Sequence, residues 1–490
     1  MSPTLNSKIL LLTILSLVLL FTLYTPFQLI NSDSVHGFEA MNGYYWTGKF
    51  NTFLFFNPDT HQLQERFLTW WSPGQYLAPL FFIRLFHLKI GVAVTLVNFL
   101  GTLLGTLGYF LVFRRYHFDS RTIWVSLLLI LFSSSILQRY YLYDGGESLN
   151  FMVFPWIFVI QKWFVNRYGQ WILPILVIFV SFICKLQMLI VIPLLIFLLI
   201  AANSEELNYF FIWNKPFRKQ ELKQSVNIYL PYIISGSLVC LFIYFGFIHR
   251  GATPADAMKH FSLNPVNFLF PIASPFTSVY FFDSVNAWLN SRPFLQNIYL
   301  LILSGGVLAA FIYFIKHFPE NDFVKRKYNS IVLMLYLLSV LVFIVLYCEG
   351  SSIDFNTRHF KLTSFLFYPI LVEQAYRKLD KKVLIGLFAF LSIYAIGNHI
   401  RLSRIWISNT SVTASRFRLT STDLPIALKE KLDRQVRTKT AVISWYSSTY
   451  CIDNPMILPV LAADGDGSRL TRAGYRVLIL ESLNTGDVNQ

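Results

Sequence analysis

The chain has 490 residues, of which 55% are hydrophobic and only 14% charged. A soluble domain carries about 25% charged residues, so a mean hydropathy of +0.51 excludes disorder and an ordinary soluble multidomain enzyme. The 41 Lys and Arg against 26 Asp and Glu leave a net charge of +15, which raises nucleic acid as a partner until the charges are placed. Aromatic residues at 17% suit a lipid-facing surface with interfacial belts. The composition is that of a polytopic membrane protein.

The run from about Ile9 to Ile30 is apolar and long enough for a bilayer, which needs about 20 residues. It lacks a small-residue cleavage site and has only Lys8 ahead of it, so it reads as a first membrane helix rather than a signal peptide. Further spans are expected near 90–113, 121–137, 149–165, 169–184, 186–202, 228–248, 298–315, 330–347, 361–375 and 383–400. The stretch Gly169 to Ala202 is too long for one helix, and Lys185 near its middle predicts two short helices meeting at a polar turn. The fold class expected is all-α, with about eleven spans in residues 1–400.

Basic residues then set the sidedness. Arg114, Arg115 and Arg121, then Lys162 and Arg167, then Lys215, Arg218, Lys219 and Lys223 fall in alternate connections. Lys316, Lys325, Arg326 and Lys327 continue the pattern, as do Arg377, Lys378, Lys381 and Lys382. With the N-terminus cytoplasmic, all of these lie inside and the tail from Arg401 lies outside. Much of the positive charge is thereby topology, and nucleic acid drops out as a partner. The plasma or inner membrane is the expected location.

Three outside segments exceed a turn: 31–89, 249–297 and 401–490. The first holds Trp70-Trp71-Ser72-Pro73-Gly74-Gln75-Tyr76 and then an apolar stretch ending near Lys89, which predicts one or two interfacial helices. The third predicts a helix over Leu424–Arg434 and strands at Thr440–Trp445 and Arg476–Leu480, a small α/β extracytoplasmic domain. Asp464-Gly465-Asp466-Gly467 lacks the spacing of a calcium loop and reads as a turn. Cys184, Cys240, Cys348 and Cys451 form no metal or disulfide pattern.

Polar groups at the membrane edge are the functional candidates. Asn31 to Ala40 carries Asp33, His36 and Glu39 and doubles as a capped helix start. Gln138 to Glu147 packs Arg139, Asp144 and Glu147 among tyrosines, and capping accounts for one carboxylate of that set. Lys185 fits either snorkelling or a role in a site. Asn356-Thr357-Arg358-His359 puts an Arg where it anchors to lipid phosphate or binds the phosphate of a substrate. Mid-membrane positions are clean and no repeat is visible, which favours interfacial chemistry over transport.

In order and sidedness these features resemble the GT-C type glycosyltransferases, specifically the protein-mannosyltransferase-like and aminoarabinose-transferase-like branch. The resemblance runs over about residues 8–400. It rests on Asp33-Ser34 leading through Glu39-Ala40 to Gly48, on Ser72-Pro73-Gly74-Gln75-Tyr76, and on the basic pair ending Ile90–Arg115. It extends to Asp144, Lys185 and Arg358-His359-Phe360. Ser34 stands where the family has a second acid, and Ser72 where it has a charged residue before proline.

The resemblance implies an inverting transfer of a sugar from a polyprenyl-phosphate donor to a glycan, lipid or protein acceptor in the cell envelope. Asp33 is then the general base, Lys185 and Arg358 stabilise the leaving phosphate, and Glu39 or Asp144 orients acceptor or sugar. Arg139 holds a carboxylate, the 249–297 segment covers the site, and no metal-ligand set is assigned, although a divalent metal is left open. Two alternatives stand beside it: an outer-face glycan ligase or polymerase, and a non-enzymatic, transporter-like membrane protein.

Overall fold

The computed structural model describes residues 29–30, most of 37–57, 62–88, 90–133 and 136, 142–166 except 144, 168–203, 219–251 and 261–277. It also describes 289, 291–316, 322–351, 355, 359–380, scattered positions within 382–444, and 457–462 and 476–480. The first expected span, most of the stretch 424–434 and the turn at 464–467 lie outside the described residues. The chain divides into two compact units. Unit 1 comprises 1–17, 101–138 and 150–399, and unit 2 comprises 18–100, 139–149 and 400–490.

The described residues are mostly helical. The helices are α1 (Gly74–Phe86), α2 (Ile90–Arg115), α3 (Ser120–Leu131), α4 (Gly145–Val159), α5 (Gly169–Cys184) and α6 (Met188–Asn203). They continue as α7 (Lys219–Gly246), α8 (Pro265–Thr277), α9 (Pro293–Lys316), α10 (Phe323–Cys348) and α11 (Lys361–Lys378). Among the described residues four stretches are long and apolar enough to cross a membrane: Gly91–Arg115, Tyr229–Arg250, Pro293–Tyr313 and Phe323–Cys348. The protein is an integral membrane protein by that measure.

Other expected spans are shorter as helices. α5 and α6 have 16 residues each, about 24 Å at 1.5 Å per residue, against a hydrocarbon core of about 30 Å. They are separated by Lys185-Leu186-Gln187, the polar turn expected there. Within unit 1, α5 packs on α6 and α7, and Gly105 of α2 lies so close to Phe151 of α4 that an added Cβ would sit 2.4 Å from the ring. Small residues at such points let apolar helices approach where lipid offers no hydrophobic drive.

The segment 249–297, expected as an outside loop, contains α8. Val266, Phe270 and Ala273 recur at helical spacing and are buried with Leu300, Phe343, Tyr347 and Phe360. Asn267 Nδ2 donates to the backbone oxygens of Ser262 at 3.0 Å and Tyr347 at 3.2 Å, and the Ser304 hydroxyl donates to Leu269 O at 2.9 Å. Pro265 opens the helix, where its missing N–H costs nothing. This part of the segment is a packed helix.

Unit 2 holds the β structure. The strands are β1 (Leu29–Ile30), β2 (Thr52–Asn57), β3 (Gln62–Phe67), β4 (Leu142–Tyr143), β5 (Thr440–Ser444), β6 (Ile457–Ala462) and β7 (Arg476–Leu480). β5 and β7 fall where the tail's strands were expected, and β6 adds a third. They are not an isolated sheet. β5 pairs in parallel with β6 and β7, and β6 pairs in parallel with β2, giving the order β3-β2-β6-β5-β7. Residues 52–67 thus contribute an antiparallel hairpin to a sheet shared with the tail.

That hairpin is fastened at its base by Asn51, which is buried in a left-handed conformation with φ 54°, one that Asn tolerates better than most residues. Its amide donates to Leu68 O, and its Oδ1 accepts from the Tyr76 hydroxyl at 2.8 Å. Burial pushes the Tyr76 phenol up, so it remains a donor across the working pH range.

Phe55 and Leu461 are register partners in β2 and β6, and neighbouring strands lie about 4.8 Å apart, within disulfide reach. A Phe55→Cys, Leu461→Cys double variant in a background without native cysteines is expected to oxidise to an internal crosslink, detected as a linked peptide by mass spectrometry. Failure to crosslink under mild oxidation would contradict the shared sheet.

Candidate functional site

Of the six expected site residues, only Lys185 falls among the described residues. Asp33, Glu39, Arg139, Asp144 and Arg358 lie outside them. Residues that neighbour several of them in sequence are described.

In unit 2, β1 and β4 pair in parallel, with Leu29 opposite Leu142 and Ile30 opposite Tyr143. The C-terminal ends of both strands therefore lie side by side. In sequence, Asp33 follows β1 by three residues and Asp144 follows β4 directly. A buried cluster binds the same pieces together: Phe38, Ala40 and Met41 with Leu68, Tyr76, Val94 and Tyr143. The Phe38 and Tyr143 rings are 5.9 Å apart.

At the centre lies Gln75, in the first turn of α1 and 4% exposed. A Cβ on Gly37 would meet Gln75 Nε2 at 2.8 Å, and one on Gly145 would meet Gln75 Cβ at 2.8 Å and the Tyr143 hydroxyl at 2.6 Å. Gln75 is thus wedged against two glycines, one from each acidic segment. The Tyr143 hydroxyl donates to Gln75 O at 2.6 Å. Three segments singled out separately in the sequence, 31–40, 72–76 and 138–147, converge here.

Two further polar groups belong to this region. Ser72 is 5% exposed, and among the described residues its hydroxyl has no hydrogen-bond partner. Glu147 is 4% exposed in the first turn of α4, where the helix dipole favours negative charge. Glu147 or Asp144 was expected as the cap of this helix, and the depth of Glu147 makes it a buried carboxylate. Ser148 donates to Asn98, which steadies the start of α4.

In unit 1, Lys185 is the extended residue that ends α5. Its N–H donates to Ser181 O at 2.9 Å and its carbonyl accepts from Met188 N at 2.9 Å. Two residues on, Gln187 grips the stretch containing His359. Its Nε2 donates to His359 O at 2.9 Å, and its Oε1 lies 2.9 Å from His359 Nδ1. With the amide oxygen turned to the ring, Nδ1 must carry the proton, and the lone pair of the neutral ring is on Nε2. His359 also stacks on Phe343 at 5.6 Å. The polar turn at 185–187 is therefore joined to His359, through a glutamine that the sequence did not single out. A lone amide in an apolar run was its only signal.

Among the described residues no three His, Cys, Asp or Glu side chains gather as metal ligands.

Gly145→Ala is expected to lose about 1–3 kcal/mol of stability by overpacking, read as a lower unfolding midpoint in detergent. Gly305→Ala, at a helical position with nothing within 4 Å of the added Cβ, is expected to leave the midpoint unchanged or raise it slightly. Equal midpoints for the two variants would contradict the wedge. In comparison with known proteins, no family model matches the chain and no curated protein matches it.

Proposed function

We propose that the protein is an inverting glycosyltransferase that moves a sugar from a polyprenyl-phosphate donor to an acceptor at the outer membrane face. The observation that carries this reading is the convergence on Gln75 of the two acidic segments and the Ser-Pro-Gly-Gln-Tyr stretch. An interfacial transfer needs acids collected at one place beside the membrane, and these segments are about a hundred residues apart in sequence.

In this reading the chain has about eleven spans, with the N-terminus inside and residues 401–490 outside. Asp33 accepts the proton from the acceptor hydroxyl as that oxygen attacks the anomeric carbon and the polyprenyl phosphate departs. A free aspartate has a pKa near ~3.9, so its strength as a base rests on positioning beside the acceptor. Asp144 and Glu39 orient sugar and acceptor, and Arg139 holds a carboxylate in place. Lys185 and Arg358 keep the role that the resemblance gives them, as cations for a leaving phosphate. The sheet joining the first segment to the tail supports placing both on one side of the membrane, because strands cannot pair across it.

Asp33→Asn keeps the shape and removes the base. Transfer from a radiolabelled polyprenyl-phosphate sugar is expected to fall by about 10²–10⁴-fold with the unfolding midpoint unchanged. Transfer at the wild-type rate would overturn the assignment.

A further inference from the structure

At the end of unit 1 where the basic connections gather, some cations are compensated. Lys325 pairs with Glu373 at 2.6 Å, Arg377 pairs with the same carboxylate at 2.9 Å, and Arg121 lies over the Tyr376 ring at 5.5 Å. Three others stand together: among the described residues Arg115, Lys162 and Lys327 have no ion-pair partner, and Arg115 and Lys162 are near enough for their charges to bear on Lys327.

One hydrogen-bonded net runs from Lys327 to the chain neighbours of the other two. The Tyr116 hydroxyl donates to Gln161 Oε1 at 2.9 Å, Asn203 Nδ2 donates to the same oxygen at 3.1 Å, and Lys327 Nζ reaches Asn203 Oδ1 at 3.5 Å. Tyr116 follows Arg115 and Gln161 precedes Lys162 in the chain. Arg115 also donates to the carbonyls of Phe158 and Val159 at the end of α4. Helix-end carbonyls and amides welcome a cation, but they supply fractional charge against three full ones. Arg115 and Lys327 are half-buried and Lys162 is exposed, and like charges that bear on one another at such a margin call for an anion.

A second observation places that anion. Arg115 ends one candidate span and Lys327 lies in the first turns of another. Trp163, directly after Lys162, and Tyr168 and Trp171, at the start of α5, are 61%, 76% and 41% exposed. Exposed Trp and Tyr at the ends of apolar helices mark headgroup depth. We propose that Arg115, Lys162 and Lys327 form a binding site for the phosphate of an anionic phospholipid. This site is separate from the acidic segments of the proposed transfer chemistry and does not depend on that reading.

The test uses the full chain, delipidated in detergent, with phosphatidylglycerol, phosphatidylcholine or sodium phosphate added. Phosphatidylglycerol is expected to give adducts in native mass spectrometry and to raise the unfolding midpoint by several degrees. The zwitterionic lipid and inorganic phosphate are expected to do neither. Lys162→Gln, an exposed position whose change spares the net, is expected to weaken phosphatidylglycerol binding about fivefold, and adding Lys327→Gln to abolish it. Lys378→Gln is expected to bind as the wild type does. Unchanged binding by Lys162→Gln would overturn the site, whether or not the double variant folds. An equal response to phosphatidylcholine or to inorganic phosphate would overturn the anionic lipid as its occupant.

Discussion

Gln75 fits because Gly37 and Gly145 have no side chains, and the arrangement of unit 2 depends on that fit. A Cβ on either glycine would lie within 3 Å of Gln75 atoms, closer than packed atoms tolerate. The two glycines come from segments joined by the short parallel ladder of β1 and β4. The close approach adds to the two residue pairs of that ladder and to the contact of the Phe38 and Tyr143 rings. With it, Gly37 and Gly145 are both held against the first turn of α1.

The sheet extends the same constraint outward. Asn51 ties the hairpin base to Tyr76, one residue from Gln75, and the hairpin carries the pairing on to the tail. Loop, helix and tail thus form one framework in unit 2. In unit 1 the equivalent work is done by side-chain polar groups at helix breaks, where Gln187 holds the backbone and ring of His359 at once. Polar residues in an otherwise apolar bundle are spent at helix breaks and ends, where backbone groups lack internal partners.

How much of this was legible in sequence follows from range. The break at Lys185 was, because a charge inside an apolar run has one local meaning. β5 and β7 were, because Ala441-Val442-Ile443 and Val477-Leu478-Ile479 are short β-branched runs between turn residues. α8 was not, because it lies in a segment with enough polar residues to read as a loop. The hairpin 52–67 was not either: Phe53-Leu54-Phe55-Phe56 is apolar on both faces, and its partner strand is some 400 residues away. Nor was the Gln187–His359 pair, whose members are 172 residues apart. The sequence identified the acidic segments one by one, and their meeting at Gln75 required the fold, since glycines as contact points carry no chemical signature.

The most direct test of the central claim is photocrosslinking to the donor lipid. A benzoylphenylalanine replacing Trp70, an exposed aromatic beside the Ser72–Tyr76 stretch, should capture a radiolabelled polyprenyl-phosphate sugar on illumination, while the same probe at Trp163 should not. Labelling at Trp163 and none at Trp70 would contradict the account.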